Sequence, residues 1–190
     1  MKIYIIDTGS ANLNSVVQAF KRLGYESVIS SDTDKMKDAD RLVLPGVGTA
    51  CAVMDGIEKF KLYDFILNTK KPLLGICLGM QIQATDSSEV PLNVTDEVIK
   101  CLDIVPSHVV KIPDTGLRLP HMGWNTVHHT DHPLLDGIKQ DAYFYFDHSF
   151  AMQVGQYTIG TTEYGVPFSS AIGRDNFMGV QFHPEKSSQA

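Results

Sequence analysis

Three short stretches hold residues that could do chemistry together. In PLLGICLGMQ, residues 72–81, a cysteine stands between two glycines directly after an apolar run, with the spacing G-x-C-x-G. This is the thiol counterpart of the G-x-S-x-G nucleophile elbow, where a strained turn from strand to helix holds the nucleophile out from a sheet. Gly75 and Gly79 remove Cβ atoms that would collide in so tight a turn, while Cys77 takes the unfavourable backbone conformation. A helix starting at residue 78 aims free amides and its positive dipole end at the sulfur. That favours thiolate: an unperturbed thiol has a pKa of about 8.5, and sites of this kind lower it to roughly 3.5–7.5. Free cysteine is also often no more than a small buried apolar residue. Cys51 and Cys101, without glycine brackets or a partner motif, read that way. For Cys77 the two readings balance until a base is found.

GVQFHPEKS, residues 179–187, supplies one. His183 and Glu185 lie two apart on chain expected to be extended, so they project from the same side. Pro184 holds the preceding residue out of the helical region, leaving the Glu185 carboxylate within reach of the imidazole. Cys77 is then the nucleophile, His183 moves the proton, and Glu185 fixes the tautomer and steadies the imidazolium. Alone, HPE is most often a solvated turn; beside the elbow it completes a triad. The third stretch is PGVG at Pro45–Gly48. Glycine-rich backbone can turn its amides toward a ligand, so Val47 and Gly48, with the Leu78 amide, are candidates for an oxyanion hole. Losing one such donor costs about 10²–10³ in rate, which makes the peptide orientation in this loop an on/off control. The plainer reading of PGVG is a tight connection from strand to helix.

These residues need elements to position them. The first half alternates short apolar runs with segments of helical period, the pattern of a parallel sheet covered by helices. Ile3–Ile6 reads as a strand, followed by a helix from about Leu13 to Leu23 with Val16, Val17, Phe20 and Leu23 on one stripe and Gly24 placed to end it. Tyr25–Ile29 is a second strand. Arg41–Leu44 is a third, cut off by Pro45 and followed by PGVG and a helix containing Ala52, Met54, Ile57 and Phe60. Pro72–Ile76 is a fourth, ending at the cysteine. From about Asp86, Ser, Asp, Asn and Pro break the periodicity. HVVKI, WNTVHH, AYFYFDHSF, QYTIGTTEY, FSSAIG and NFMGVQF read as a largely antiparallel second half of the same sheet. The expected fold is α/β: one domain over residues 1–190, three-layered and flavodoxin-like. Its mixed, mostly parallel sheet is flanked by helices, with ligands beyond the carboxyl ends of the parallel strands.

Composition narrows the function. With 190 residues and 43% hydrophobic positions the chain can bury one sizeable core. A net charge of −6, without a Lys/Arg cluster or a basic and aromatic stripe, argues against nucleic acid as a partner. No apolar run approaches the length that crosses a bilayer, and MKIYIIDTG runs into an acidic residue instead of a signal-like segment, so no membrane association and a cytoplasmic location are expected. Cys51, Cys77 and Cys101, an odd number without framework spacing, fit reduced thiols.

With these pieces assembled, the chain resembles the class I, triad-type glutamine amidotransferases, and within them the glutaminase subunits of imidazole glycerol phosphate synthase. IIDTGSANLNSV, LPGVGTA, LLGICLGMQ, PHMGWN, YFYFDHSF and GVQFHPEKS occur in that family's order and approximate spacing, nearly end to end. The elbow and HPE carry the class, and PHMGWN the histidine-pathway branch. The resemblance implies hydrolysis of L-glutamine to glutamate and ammonia through a γ-glutamyl thioester on Cys77, without cofactor or metal. It places glutamine contacts on Gly46, Gly48, Leu78 and Gln81, and on Ser149 and Phe150, whose backbone groups would hold the amino-acid end. It also implies a heterodimer with a cyclase subunit, a (β/α)₈ barrel. There the ammonia would be consumed with a phosphoribulosyl formimino carboxamide ribonucleotide to give imidazole glycerol phosphate and aminoimidazole carboxamide ribonucleotide. Asn12, Trp124, Tyr145 and Lys186 are the candidates for the partner-facing surface, although composition alone makes Trp124 equally a core residue. Coupling of the two sites in the family implies a glutaminase nearly silent until the cyclase binds its nucleotide.

The chain departs from the family pattern in three places. Asp147 stands where relatives carry an apolar residue, either beside the glutamine pocket or pointing to solvent. Phe150 replaces a tyrosine and removes a hydroxyl. Relatives continue into a terminal helix packed on the sheet, so an end at Ala190 implies uncovered apolar surface. Two other functions fit the residues: a cysteine hydrolase of a different ester or amide, and a binding protein using Cys77 as a redox sensor. A metal site at HHTDH, with His128, His129, Asp131 and His132, ranks below a solvated loop because its spacing matches no H-E-x-x-H helix and Pro133 follows.

Overall fold

A computed structural model describes residues 1–9, 13–91 and 97–187. In chain order the elements are β1 (Ile3–Ile6), α1 (Leu13–Arg22), β2 (Ser27–Ser30), α2 (Thr33–Met36), β3 (Arg41–Gly46), α3 (Ala50–Lys59), α4 (Tyr63–Asn68), β4 (Leu73–Cys77) and α5 (Leu78–Gln81). Then follow β5 (Asp86–Ser87), β6 (Ile99–Lys100), β7 (His108–Lys111), β8 (His121–His129), β9 (Ala142–His148), β10 (Phe150–Met152), β11 (Thr158–Tyr164), β12 (Val166–Arg174) and β13 (Phe177–Val180). Short 3-10 turns lie at Pro133–Leu135 and Pro184–Lys186.

A nine-stranded mixed sheet has the order β2-β1-β3-β4-β13-β12-β11-β8-β9. Strands β2, β1, β3, β4 and β13 are parallel, and β12, β11, β8 and β9 continue it antiparallel. Alternation along the central strands sends neighbouring residues to opposite faces. Leu42 and Leu44 of β3 pack with Met36, Val53, Ile57 and Ile66 from α2, α3 and α4. Val43 lies on the other face, in a cluster with Leu13 and Val16 of α1 and with Phe144, Phe146, Phe168 and Phe182. Helices thus cover both faces, giving the three layers expected.

The expected strands and helices of the first half are present, with informative differences. The third strand does not stop at Pro45 but runs to Gly46. Its ladder with β1 ends at Val43, so Pro45 has a strand neighbour on one side only, a position where proline is tolerated. Leu23 is exposed instead of closing the α1 stripe, because the helix ends at Arg22 and Gly24 takes φ +80°. The second half is not one continuation of the sheet. AYFYFDHSF breaks after His148, and β10 turns away to pair Phe150 with Lys111 and Met152 with Val109 of β7. This builds a separate four-stranded sheet, β10-β7-β5-β6.

Strand order explains how distant segments meet. Gly46 at the end of β3 is in register with Cys77 at the end of β4. On the other side of β4, Val180 of β13 pairs with Ile76. The chain leaving β13 therefore emerges beside the cysteine, at the carboxyl edge of the parallel strands.

Candidate active site

Cys77 is strained as the elbow spacing requires, with φ 53° and ψ −109°, a region that non-glycine residues enter at a cost of about 1–3 kcal/mol. Close packing of α5 on the strands holds it there. A Cβ at Gly79 would overlap the Leu44 carbonyl oxygen of β3, and one at Gly75 would strike the Gly79 carbonyl and the Gln83 amide. Gln83 Nε2 in turn donates to the Met178 carbonyl of β13 at 3.0 Å, tying the turn after α5 to the sheet. The helix that follows is short: α5 is four residues long. One turn sums few peptide dipoles, so its macrodipole is only a fraction of the half-charge of a long helix. The hydrogen-bonding groups around the sulfur matter more. Gln181 Nε2 donates to Cys77 Sγ at 3.6 Å, and the Asp147 carbonyl oxygen lies 4.0 Å from Sγ.

His183 is 4% exposed and its Nδ1 is 2.8 Å from Glu185 Oε1. The proximity expected from sequence is present, but its cause is different. Only His183 is extended (φ −101°, ψ 93°); Pro184 starts a 3-10 turn that folds Glu185 back toward the ring nitrogen. The turn is tied down from two sides. The His183 N–H donates to the Tyr145 carbonyl of β9 at 2.8 Å, while Ser187 Oγ accepts from the Tyr145 N–H and donates to the His183 carbonyl. Arg22 at the end of α1 donates to the Glu185 carbonyl at 3.2 Å. Burial alone would lower the His183 pKa, but hydrogen bonds and charge interactions with Cys77 and Glu185 outweigh it, raising it to about 9. The imidazolium is therefore the favoured form at neutral pH.

Cys77 and His183 open on a cavity of about 370 Å³, within the size range of small-molecule sites. Its wall includes Gly46, Val47, Gly48, Leu78, Gln81, Ser149 and Phe150, all expected from sequence, with Asp147, His148 and Lys186. Asp147 thus belongs to the cavity wall, not only to the solvent face. Gly48 has φ +95°, a conformation suited to glycine. Sequence reasoning missed Glu89, which also lines the cavity: its Oε2 accepts from the Ala50 N–H at 3.0 Å, and burial raises its pKa, partly offset by that bond. It follows the elbow in irregular chain without a motif. Gln181 and Ser187 were missed too, although Gln181 sits only two residues before His183.

The other cysteines sit away from this cavity. Burial, with Asp86 and Glu89 nearby, pushes the Cys101 thiol up to about 12, and burial and Asp55 raise that of Cys51. The HHTDH residues do not converge: His129 is bonded to the Thr130 and Ile138 carbonyls, and His132 Nδ1 accepts from the Leu134 N–H. Among the described residues, no helix is long and apolar enough to cross a membrane.

Of the expected partner-facing residues, Trp124, Tyr145 and Lys186 lie together, and Asn12 falls outside the described residues. Trp124 is opposite Tyr145 in the β8–β9 ladder, with ring centroids 6.2 Å apart, and Lys186 Nζ lies 5.8 Å over the Tyr145 ring. Trp124 is not core: it is 50% exposed, and Met122 and Tyr143 on the same hairpin are each 61% exposed.

Comparison with known proteins agrees with this geometry. The pattern of the family described as Glutamine amidotransferase class-I matches residues 4–190. The imidazole glycerol phosphate synthase subunit HisH of Vibrio cholerae is 52% identical over 189 residues, covering 99% of this chain and 93% of the relative. The protein of the same name from Photorhabdus laumondii is 51% identical over 191 residues, covering 100% and 94%. A solved glutamine amidotransferase shares the fold with a TM-score of 0.70 at 14% identity, over 96% of this chain and 90% of its own. Half-identity along nearly the whole length, on the elbow sheet described above, puts the chain in the class I glutamine amidotransferase family, among the HisH subunits of imidazole glycerol phosphate synthase.

Proposed function

We propose that residues 1–190 work as a single glutamine amidotransferase domain, the glutaminase subunit of an imidazole glycerol phosphate synthase acting in the cytoplasm. It hydrolyses L-glutamine at Cys77 and passes the ammonia to a cyclase subunit, a (β/α)₈ barrel bound as a heterodimer. The observation that carries this reading is the convergence of the Cys77 thiol with the His183–Glu185 pair, 2.8 Å apart, at one cavity.

In the first step the Cys77 thiolate adds to the side-chain carboxamide carbon, and negative charge develops on the oxygen. The amides of Gly48 and Leu78 are the proposed donors to it, with the Val47 peptide setting the loop's orientation. His183 gives its proton to the departing nitrogen, the C–N bond breaks, and ammonia leaves a thioester on sulfur. The neutral imidazole then takes a proton from water as its oxygen attacks the thioester. Glutamate departs, its new carboxyl group losing a proton to solvent, and the thiolate–imidazolium pair is restored. Glu185 keeps the ring oriented throughout.

The rest of the cavity suits the amino-acid end. Gly46, Ser149 and Phe150 line the same space as Glu89, whose carboxylate suits an α-ammonium group. Both N–H groups of Gln81 are used within the protein, on Phe150 and Gln181, so its Oε1 is the atom left to accept from substrate. The hairpin face bearing Trp124 and Tyr145 meets the cavity rim at Asp147 and Lys186 and is the proposed seat of the cyclase.

The test is ammonia release from L-glutamine, with and without the cyclase subunit and its nucleotide. The expected result is slow release alone, strong stimulation in the liganded complex, and none from Cys77→Ala. Release that persists in Cys77→Ala would remove the thiol from the reaction. Brisk release by the lone subunit would remove only the coupling.

A further inference from the structure

Outside the triad, the least explained group at the nucleophile is Gln181. It is fully buried, and its only side-chain hydrogen bonds among the described residues join Cys77 Sγ to Gln81. A side-chain amide has a donor and an acceptor end, and which end faces the sulfur determines whether it favours thiol or thiolate.

The direction can be deduced from a main-chain group. The Phe150 carbonyl can only accept, and Gln81 Nε2 lies 2.8 Å from it. Gln81 must therefore present its NH₂ end, and the same nitrogen is 2.9 Å from Gln181 Oε1. With its oxygen so engaged, Gln181 has only its NH₂ end for Cys77 Sγ, at 3.6 Å. Reversing both amides would set the Gln81 oxygen against the Phe150 oxygen, two acceptors in a buried site where an unmade bond costs most. The Phe150 carbonyl is itself held in place: His148 Nδ1 donates to it at 2.8 Å, and His121 Nδ1 donates to His148 Nε2 at 3.0 Å. Burial keeps those two rings neutral, with pKa values of about 3 and 4, so each retains the single tautomer this direction needs.

We infer that Gln181 is a further catalytic group of this site, an oriented N–H donor to the Cys77 sulfur that stabilises the thiolate, its polarity imposed by the Phe150 carbonyl through Gln81. The inference builds on the glutaminase reading but concerns the thiol before any substrate is bound. The titratable and charged groups around the sulfur are His183 and Glu185 on the segment after β13, His148 and Asp147 at the end of β9, and Glu89 and Lys186 on the cavity wall. Among the described residues, the Gln181 side chain hydrogen-bonds to none of them.

The experiment measures alkylation of Cys77 by iodoacetamide against pH, read at the Cys77 peptide by mass spectrometry so that Cys51 and Cys101 do not contribute. A hydrogen bond to a charged group is large enough for Gln181→Met to raise the alkylation midpoint by about one unit, a tenfold change in the thiol dissociation constant. Gln81→Met releases Gln181 to turn and should raise the midpoint less, and the double variant no further than Gln181→Met alone. Folding is checked by circular dichroism and melting. In case the variants do not fold, the wild-type protein labelled with ¹⁵N-glutamine gives the same answer: the Gln181 side-chain amide resonance should titrate together with Cys77. A midpoint unchanged in folded Gln181→Met, or an amide resonance indifferent to the Cys77 titration, overturns the inference. Because no glutamine is turned over, these outcomes are independent of the ammonia assay above.

Discussion

The His183 ring lies between a sulfur and a carboxylate, and these partners decide how long it keeps its proton. Burial works against the charge, yet Cys77 and Glu185 together raise its pKa to about 9. Since the unfolded value is about 6.5, the charged ring contributes its full stabilisation below about pH 6.5, and that contribution is lost as pH rises through about 9. In the proposed mechanism the proton that leaves with ammonia is the same one, so glutaminase activity should fall on the alkaline side with a midpoint near 9. Glu185→Gln removes one of the two raising partners. The alkaline limb should then move toward neutral pH, and kcat should drop by about 10²–10⁴-fold through loss of ring orientation. Rate profiles of both proteins from pH 6 to about 10 check this; a limb that stays in place would mean that Glu185 does not hold the proton.

Close approach of α5 to β3 is what keeps the sulfur at the cavity, and it depends on the absence of a side chain at residue 79. In Gly79→Ala the new Cβ meets the Leu44 carbonyl, a backbone atom that cannot swing aside. The expected cost is about 1–3 kcal/mol in denaturant unfolding, together with a loss of glutaminase activity larger than the unfolded fraction explains, because the elbow moves with the helix. Wild-type activity in a folded Gly79→Ala protein would show that the sulfur tolerates such a shift. This packing was legible in the sequence because its signal is local: an apolar run, then glycine, cysteine and glycine at fixed spacing. The parallel strands were legible for the same reason. The departure of β10 into its own sheet was not, since its partner Lys111 is far away in sequence and nothing within AYFYFDHSF marks the break. The two-residue strands β5 and β6 are too short to show a period. Gln181 went unnoticed because a neutral amide gains chemical meaning only from its partner Gln81, a hundred positions earlier. Glu89 went unnoticed because only the fold brings it to the cavity.

At the scale of the molecule, the two faces of the β8–β9 hairpin impose different demands. Its inner face carries the buried His121–His148 pair, whose pKa values are pushed down to about 4 and about 3 by burial. Unfolded chains bind these protons and the folded one does not, so stability should fall as pH drops below about 6.5, by up to about 1.4 kcal/mol per pH unit for each ring. Denaturant unfolding at pH 7 and pH 5 measures this, and equal stabilities would mean the pair takes up protons without opening the fold. Its outer face carries Met122, Trp124 and Tyr143, large side chains left in water beside the cavity rim, an arrangement that marks an interaction surface. Tryptophan is the residue type most enriched among interface hot spots, and here it stacks edge-on against Tyr145, which Lys186 covers in turn. Trp124→Ala should therefore weaken binding of the proposed cyclase subunit by about 2 kcal/mol or more, roughly thirtyfold, as read by calorimetric titration. The half-exposed ring supports little of the fold, so the melting temperature of the isolated subunit should stay nearly constant. Tyr63→Ala, which removes a comparably exposed aromatic ring on α4, serves as the control and should leave affinity unchanged. If Trp124→Ala and Tyr63→Ala bind the proposed cyclase equally well, the partner does not sit on the hairpin.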